Sequence, residues 1–302
     1  MSDKQNFSLS GSAAIDALNA AVLLKNLQSK VDLASVDVRS MVNALPALAQ
    51  ARLKNPLAGQ LEFSADEMRV SAKDFSAVKL KGQVSGGEVN TAFFKVPVKN
   101  ITGKVEIANQ DLSIAGVSGM IGDGRIDFNA LINDYRGAQG YKINLKGENL
   151  NMKDVPAQGS QDISLEGLAS FESTFEGQGL SDFSSFQPAS GTASVRLKQG
   201  KLMNINVLKI VLDKMSMIPD LVANLEANLP EQYKEKLKQN DTDLRAVNLD
   251  MKVEQGIFNI NQAQIETDIF SVAGNGKMDL HLNTEMQAKI SIPEDLSGSM
   301  AQ

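Results

Sequence analysis

Val247-Asn248-Leu249-Asp250-Met251-Lys252-Val253 alternates apolar and polar residues, and Glu254-Gln255-Gly256 then interrupts the pattern. A period of two is that of a strand with one face turned away from water, and a Gly-containing triplet at its end reads as a hairpin turn. Phe258 and Ile260 begin the next run, which changes phase to Ala263 and Ile265, as one extra residue in a β-bulge would make it. Phe270 and Val272 follow, and Gly274-Asn275-Gly276 is expected to break the run. Met278, Leu280 and Leu282 alternate again, Asn283-Thr284 turns, and Met286, Ala288, Ile290 and Ile292 close the series. The whole reads as a four-strand antiparallel meander with one apolar face.

The same pattern recurs upstream. Leu61, Phe63 and Ala65 alternate, as do Val78, Leu80 and Val84. Val105 and Ile107 precede a turn at Asn109-Gln110-Asp111, and Leu112 with Ile114 follow it. Gly122-Asp123-Gly124 leads to Ile126, Phe128 and Ala130. Ile143 with Leu145, Ile163 with Leu165, Ala169-Phe171-Phe175 and Val195 with Leu197 continue the series. At least a dozen strands are expected with no helix alternating between them, which makes the chain mainly β and excludes doubly wound and barrel α/β folds. Helices are expected at two places. Asp37 caps a short one, about 37–50, that ends near Pro46. A longer region, 203–238, carries apolar residues at helical spacing from Leu208 through Leu229. Pro219 divides it, and Pro230 opens a last helix with Tyr233 and Leu237 facing inward. This region either packs across the apolar face of the sheet or lies on a membrane or over a groove, and its mixed polar face disfavours anionic lipid.

Composition narrows the function. With 302 residues the chain can bury a sizeable core. Net charge is −6 and aromatic residues are only 5%, so neither a basic footprint nor a stacking surface for bases is present, and nucleic acid is not an expected partner. Cysteine is absent, which removes disulfides, thiolate nucleophiles and sulfur-ligated metals together. The longest apolar run near the start, Ala20 to Leu24, is far short of the ~20 residues a bilayer span needs. MSDKQNFSLS lacks the basic and apolar regions of a signal peptide.

No motif carries catalysis. His281, the single histidine, sits between Leu280 and Leu282 on the polar side of a strand and reads as a solvated residue rather than as a triad member. Gly122-Asp123-Gly124 and Asp241-Thr242-Asp243 lack the further ligands of a calcium loop and read as a turn and a helix-to-strand connector. Acidic pairs suited to glycoside hydrolysis occur by chance among 36 carboxylates, without an aromatic-lined cleft. No catalytic, cofactor or metal site is expected, and the protein is read as non-enzymatic.

From Gly191 onward the chain resembles the C-terminal region of the AsmA family. The run Gly191-Thr192-Ala193-Ser194-Val195-Arg196-Leu197-Lys198-Gln199-Gly200-Lys201-Leu202 matches a strand that ends in a G-x-L turn before helices. Thr242 to Val247 matches the resumption of the sheet, and Gln255-Gly256-Ile257 the turn after it. Ser271 through Leu280 is similar to the family's v-x-G-x-G-x-h-D-L strand pair. Val36 through Pro46 and Leu57-Ala58-Gly59-Gln60-Leu61 resemble an upstream family segment. The family's N-terminal inner-membrane helix is absent here, and Leu244 stands where an aromatic residue is common.

The resemblance implies an elongated, curved antiparallel β-groove, related to TamB and the chorein-type bridge-like lipid-transfer proteins. Three segments are expected: 1–55, partial and N-terminal; 56–158, repeated strands; and 159–302, the AsmA-like region with a helical insertion at 203–238. The implied function is a periplasmic, inner-membrane-associated protein, anchored through a part outside this chain. It would bind or convey phospholipid acyl chains between the two membranes and support outer-membrane homeostasis. Expected lining residues are Leu249, Met251, Phe270, Val272, Leu280 and Leu282, with burial under the 203–238 helices as the alternative for each. An adaptor for other envelope proteins, or a β-solenoid acting on polysaccharide, are the competing functions.

Overall fold

The computed structural model describes residues 7–17, 21–39, 53–71, 75–77, 79–108, 110–135, 137–155, 164–179, 189–210, 230–279 and 283–294. Strands account for 74% of these, which makes the chain mainly β as expected. The strands are β1 (Phe7–Asp16), β2 (Ala21–Asp32), β3 (Leu53–Ser71), β4 (Phe75–Ala77), β5 (Lys79–Thr91), β6 (Val98–Ala108), β7 (Asp111–Ile121) and β8 (Gly124–Asn133). They continue as β9 (Gly140–Asn151), β10 (Ser164–Gly177), β11 (Ser190–Met203), β12 (Thr242–Glu254), β13 (Ile257–Thr267), β14 (Ser271–Met278) and β15 (Thr284–Ser291). Fourteen of them lie side by side in chain order, each antiparallel to the last, while β4 pairs only with β3 outside that path.

Every substantial contact between described strands joins neighbours in this order, so the sheet neither folds back into a sandwich nor closes on itself. It is open and curved. At ~4.8 Å between strands, its length across them is roughly 60 Å.

Bulges bend the sheet. The phase change expected after Ile260 is a register shift between Ile260 and Ala263 on β13, and similar shifts interrupt most of the other pairings. Asn149 at the end of β9 takes a left-handed backbone (φ 51) beside one of them. The expected break at Gly274–Gly276 does not occur: β14 runs through both glycines. A Cβ on Gly274 would lie 2.5 Å from the Gln287 carbonyl oxygen, so the missing side chain admits close approach of β15 rather than ending the strand. Strand β14 ends at Met278, and Asp279 with Asn283 closes the connection, Asp279 N–H donating to the Asn283 carbonyl at 3.0 Å. Leu280, His281 and Leu282 lie outside the described residues.

Two expectations about the N-terminal third change. The segment expected to hold one short helix also carries the hairpin β1–β2, whose contiguous Ala21-Val22-Leu23-Leu24 and left-handed Asn26 obscure any alternation. Of the helix expected at 37–50, residues 38 and 39 are helical and the remainder lies outside the described residues. In the second helical region β11 extends to Met203 and residues 207–210 are helical; 211–229 lie outside the described residues. Helix α1 (Glu231–Leu237) follows Pro230 as expected, with Tyr233 buried and Leu237 packed against the same cluster.

Candidate functional site: one uncharged face across fourteen strands

Residues directly opposite each other in antiparallel strands share a face, so the register traces rows across the whole sheet. One row runs Leu9, Ser29, Phe63, Gly82, Val105, Ile114, Ala130, Ile143, Phe175, Gly191, Val253, Phe258, Met278 and Thr284, one residue per strand. None of the fourteen is charged. A second row beside it contains Phe128, Leu145, Ser173, Ala193, Met251, Ile260, Gly276 and Met286. A third holds Phe171, Val195, Leu249, Ala263, Gly274 and Ala288. These rows run along the sheet's long axis, perpendicular to the strands.

Glycines in and beside the rows have a steric role. A Cβ on Gly82 would sit 2.7 Å from Val105 Cγ1, and one on Gly147 2.5 Å from Phe171 Cε1. Each glycine leaves room for the neighbouring strand's side chain to lean across it.

The opposite face is a lattice of charge. Lys30 pairs with Glu62 at 3.0 Å, Arg196 with Asp250 at 2.5 Å and Lys277 with Glu285 at 3.0 Å, all across strands. These pairs are exposed or nearly so, and contribute solubility and register more than stability.

Burial is uneven on the uncharged face. Three clusters lie along one margin, where β6, β8, β10, β12 and β14 begin. Val98, Ile121 and Leu150 form the first, and Ala169, Leu197 and Leu244 the second. The third comprises Leu208, Tyr233, Ile269 and Phe270, with Val272 and Ile292 packed on it. Within the rows Val253, Ala263, Ala130 and Ile260 are buried, Phe171 packs against the first cluster, and Phe128, Ile143, Leu145, Leu249 and Met251 are half-buried.

Concave space remains over the rows at both ends. A cavity of about 690 Å³ is lined by Leu9, Ser29, Phe63, Gly82 and Val105 together with their neighbours Lys30, Glu62 and Lys104, and another of about 470 Å³ by Ile260, Gly276 and Met286 together with Lys277 and Glu285. Volumes of 300–1,000 Å³ are those of ordinary ligand sites. Ser29 Oγ is buried beneath the first, with no hydrogen-bond partner among the described residues.

The expected lining residues divide. Leu249 and Met251 lie half-buried in the second and third rows. Phe270 is 5% exposed and belongs to the cluster under α1, and Val272 packs against that cluster. Leu280 and Leu282 fall outside the described residues. Sequence reasoning confined the lining to the C-terminal meander and so passed over Phe63, Val105, Ile114, Phe128, Ile143, Leu145 and Phe175. The same alternation marks them.

Polar groups hold α1 at the margin. Asn206 caps the helix beginning at 207, its Oδ1 accepting from Lys209 N–H at 2.9 Å, while its Nδ2 donates to the Lys236 and Gln239 carbonyls. Thr242 Oγ1 accepts from Val207 N–H and donates to the Ile205 carbonyl. Lys236 reaches Asp268 on the β13–β14 turn and Asp243 on β12, and the hydrogen bond to Asp268 holds its ammonium above the usual lysine range. Asp241 is held below the usual carboxylate range, chiefly by the Asn204 N–H and then by Lys201. On the uncharged face, burial pushes the Tyr141 phenol up. Among the described residues, no group of three or more His, Asp or Glu is placed to hold a metal ion.

Comparison with family models, with curated proteins and with solved structures found no match.

Proposed function

We propose that the uncharged face is a lipid-binding groove, and that the protein is a non-enzymatic component of a two-membrane envelope that binds or conveys phospholipid acyl chains. One observation carries this reading: a row of fourteen uncharged residues crosses every strand of the path without interruption, buried at Ser29, Gly82, Ala130 and Val253 and partly or fully exposed at the other ten positions. Apolar area of that extent outside a core marks a binding surface. Each methylene removed from a bilayer costs ~0.8 kcal/mol, so a sixteen-carbon tail costs ~13 kcal/mol in water. A greasy track roughly 60 Å long offsets that cost along its whole length. It is about twice the ~30 Å hydrocarbon core of a membrane.

The resemblance to the AsmA family agrees with this reading and extends it to the periplasm, to passage between inner and outer membranes, and to outer-membrane homeostasis. Among the described residues no helix is long and apolar enough to cross a membrane.

Native mass spectrometry with lipid extraction, on protein purified in mild detergent, tests the proposal. Stoichiometric phospholipid is expected on the wild-type chain, and loss of most of it from Leu145→Asp and Leu249→Asp with the circular dichroism of the sheet unchanged. Lipid-free, monodisperse wild-type protein would overturn the groove and favour an adaptor for other envelope proteins. Unchanged lipid on both folded variants would remove these rows from the lining.

A further inference from the structure

We infer that β15 is a homodimer interface, through which two copies of this chain join edge to edge into one continuous sheet. Among the described residues β15 is the last strand of the path and is paired with β14 on one side only. All eight of its residues are exposed, and among them Met286 (45%) and Ile290 (43%) are large apolar side chains. An edge of this kind, with unpaired backbone groups and apolar residues on one face, is a template for another strand. Beyond it Ile292 packs onto the Phe270 cluster.

The sequence of the edge selects the partner. Glu285-Met286-Gln287-Ala288-Lys289 carries opposite charges at equal distances from Gln287. When a second β15 lies antiparallel with Gln287 opposite Gln287, Glu285 faces the second copy's Lys289, and the reciprocal pair forms by symmetry. Within one chain Glu285 already meets Lys277 at 3.0 Å. Lys289 lies opposite Ala273, with no carboxylate partner among the described residues. Dimerisation therefore supplies the missing partner and completes an alternating row of charge on the outer face. On the inner face the same register sets Met286 against the second copy's Ala288, and Thr284 against its Ile290, covering both exposed apolar side chains.

The symmetry is the closed two-fold common to homodimers, its axis perpendicular to the sheet. Such an axis keeps both uncharged faces on the same side. The fourteen-strand row becomes twenty-eight strands, about 130 Å at ~4.8 Å per strand. Edge charges that repel other strands and match their own copy give selectivity as well as attraction.

The test is molar mass by light scattering across micromolar to near-millimolar concentrations, with circular dichroism confirming the fold of each variant. The wild-type chain should approach twice its 32.5 kDa. Lys289→Glu places like charges opposite and should weaken association about tenfold, and Glu285→Lys with Lys289→Glu should restore it. Because the chain has no cysteine, Gln287→Cys reports the register directly. Opposed residues of an antiparallel pair lie ~4.5–5.5 Å apart at Cα, within disulfide reach, so oxidation should give a covalent dimer and nothing larger. A wild-type chain that stays monomeric, a double variant no better than the single, or a ladder of higher masses without the Gln287→Cys dimer would each overturn the assignment. These readouts are masses rather than lipid contents, so the interface can fail while the groove stands, and the reverse.

Discussion

Tyr233→Ala separates the groove from the core. Tyr233 is 6% exposed and packs with Leu208, Ile269 and Phe270, and α1, which carries it, is only seven residues long. A helix that short has almost no stability of its own. Truncating a buried aromatic side chain to alanine costs ~3–5 kcal/mol. Taking ~3 kcal/mol, at ~1.4 kcal/mol per factor of ten, the docked-to-undocked ratio of α1 falls by about two orders of magnitude. No described strand beyond the margin depends on that contact, so the loss should stay local. Hydrogen exchange resolves it. The amides of Tyr233, Lys234 and Lys238, bonded to Pro230 and Glu235 carbonyls, should lose about a hundredfold of protection. Strand amides of β5 to β10 should keep theirs. Protection lost equally throughout the sheet would refute the reasoning, because it would make the cluster under α1 the core of the whole molecule rather than a fitting at one margin. Unchanged protection at α1 would refute it differently, by showing that Tyr233 does not hold the helix.

Three further outcomes follow from the same geometry. Gly147→Val forces a side chain against Phe171 and Leu150, and should destabilise by ~1–3 kcal/mol; a melting temperature equal to or above wild type would show that the sheet can flatten to admit it. Ser29→Ala removes a buried hydroxyl that lacks a partner and should raise stability by about 1 kcal/mol in urea titration, and a loss of that size instead would reveal a bond to the hydroxyl. Lys236 binds its proton more tightly folded than unfolded, so its contribution is complete below the unfolded pKa near 10.5 and disappears as pH rises through the higher folded value. The protection of α1 amides should therefore fall in alkali, and Lys236→Met should flatten that dependence; the Tyr141 phenol shifts the sheet's stability in the same direction, which is why the readout belongs on α1.

Legibility in the sequence followed the regularity of the backbone. Val247 to Val253, with strict alternation and a Gly256 turn, lies in β12 with its apolar residues on one face, and the phase change at Ile260 was readable because a bulge shifts a pattern without erasing it. Gly122-Asp123 forms the expected turn between β7 and β8, whereas of Asp241-Thr242-Asp243 only Asp241 lies in the connector and the other two open β12. The hairpin β1–β2 was not readable: four apolar residues in succession and a left-handed Asn26 leave no period to count. Gly274 and Gly276 were misread because a glycine that ends a strand and one that admits a neighbour look alike until the neighbour is known. Phe270 and Leu249 carry the same local signal, an apolar residue in an alternating run. What divides them is the arrival of Tyr233 and Leu208 from far along the chain, and periodicity contains nothing of that encounter.

A sheet in which each described strand makes its substantial contacts with the strands beside it is, in its energetics, closer to a line than to a volume. Its stability is a sum over adjoining pairs, as in repeat proteins, so no central core must be redesigned when its span changes. Insertion or loss of one hairpin would leave every remaining pairing intact, preserve the alternation of direction and keep all faces aligned. It would alter the reach by about 10 Å. Span is thus adjustable in evolution by duplicating or deleting hairpins, while the removal of a single strand would invert the direction of everything after it.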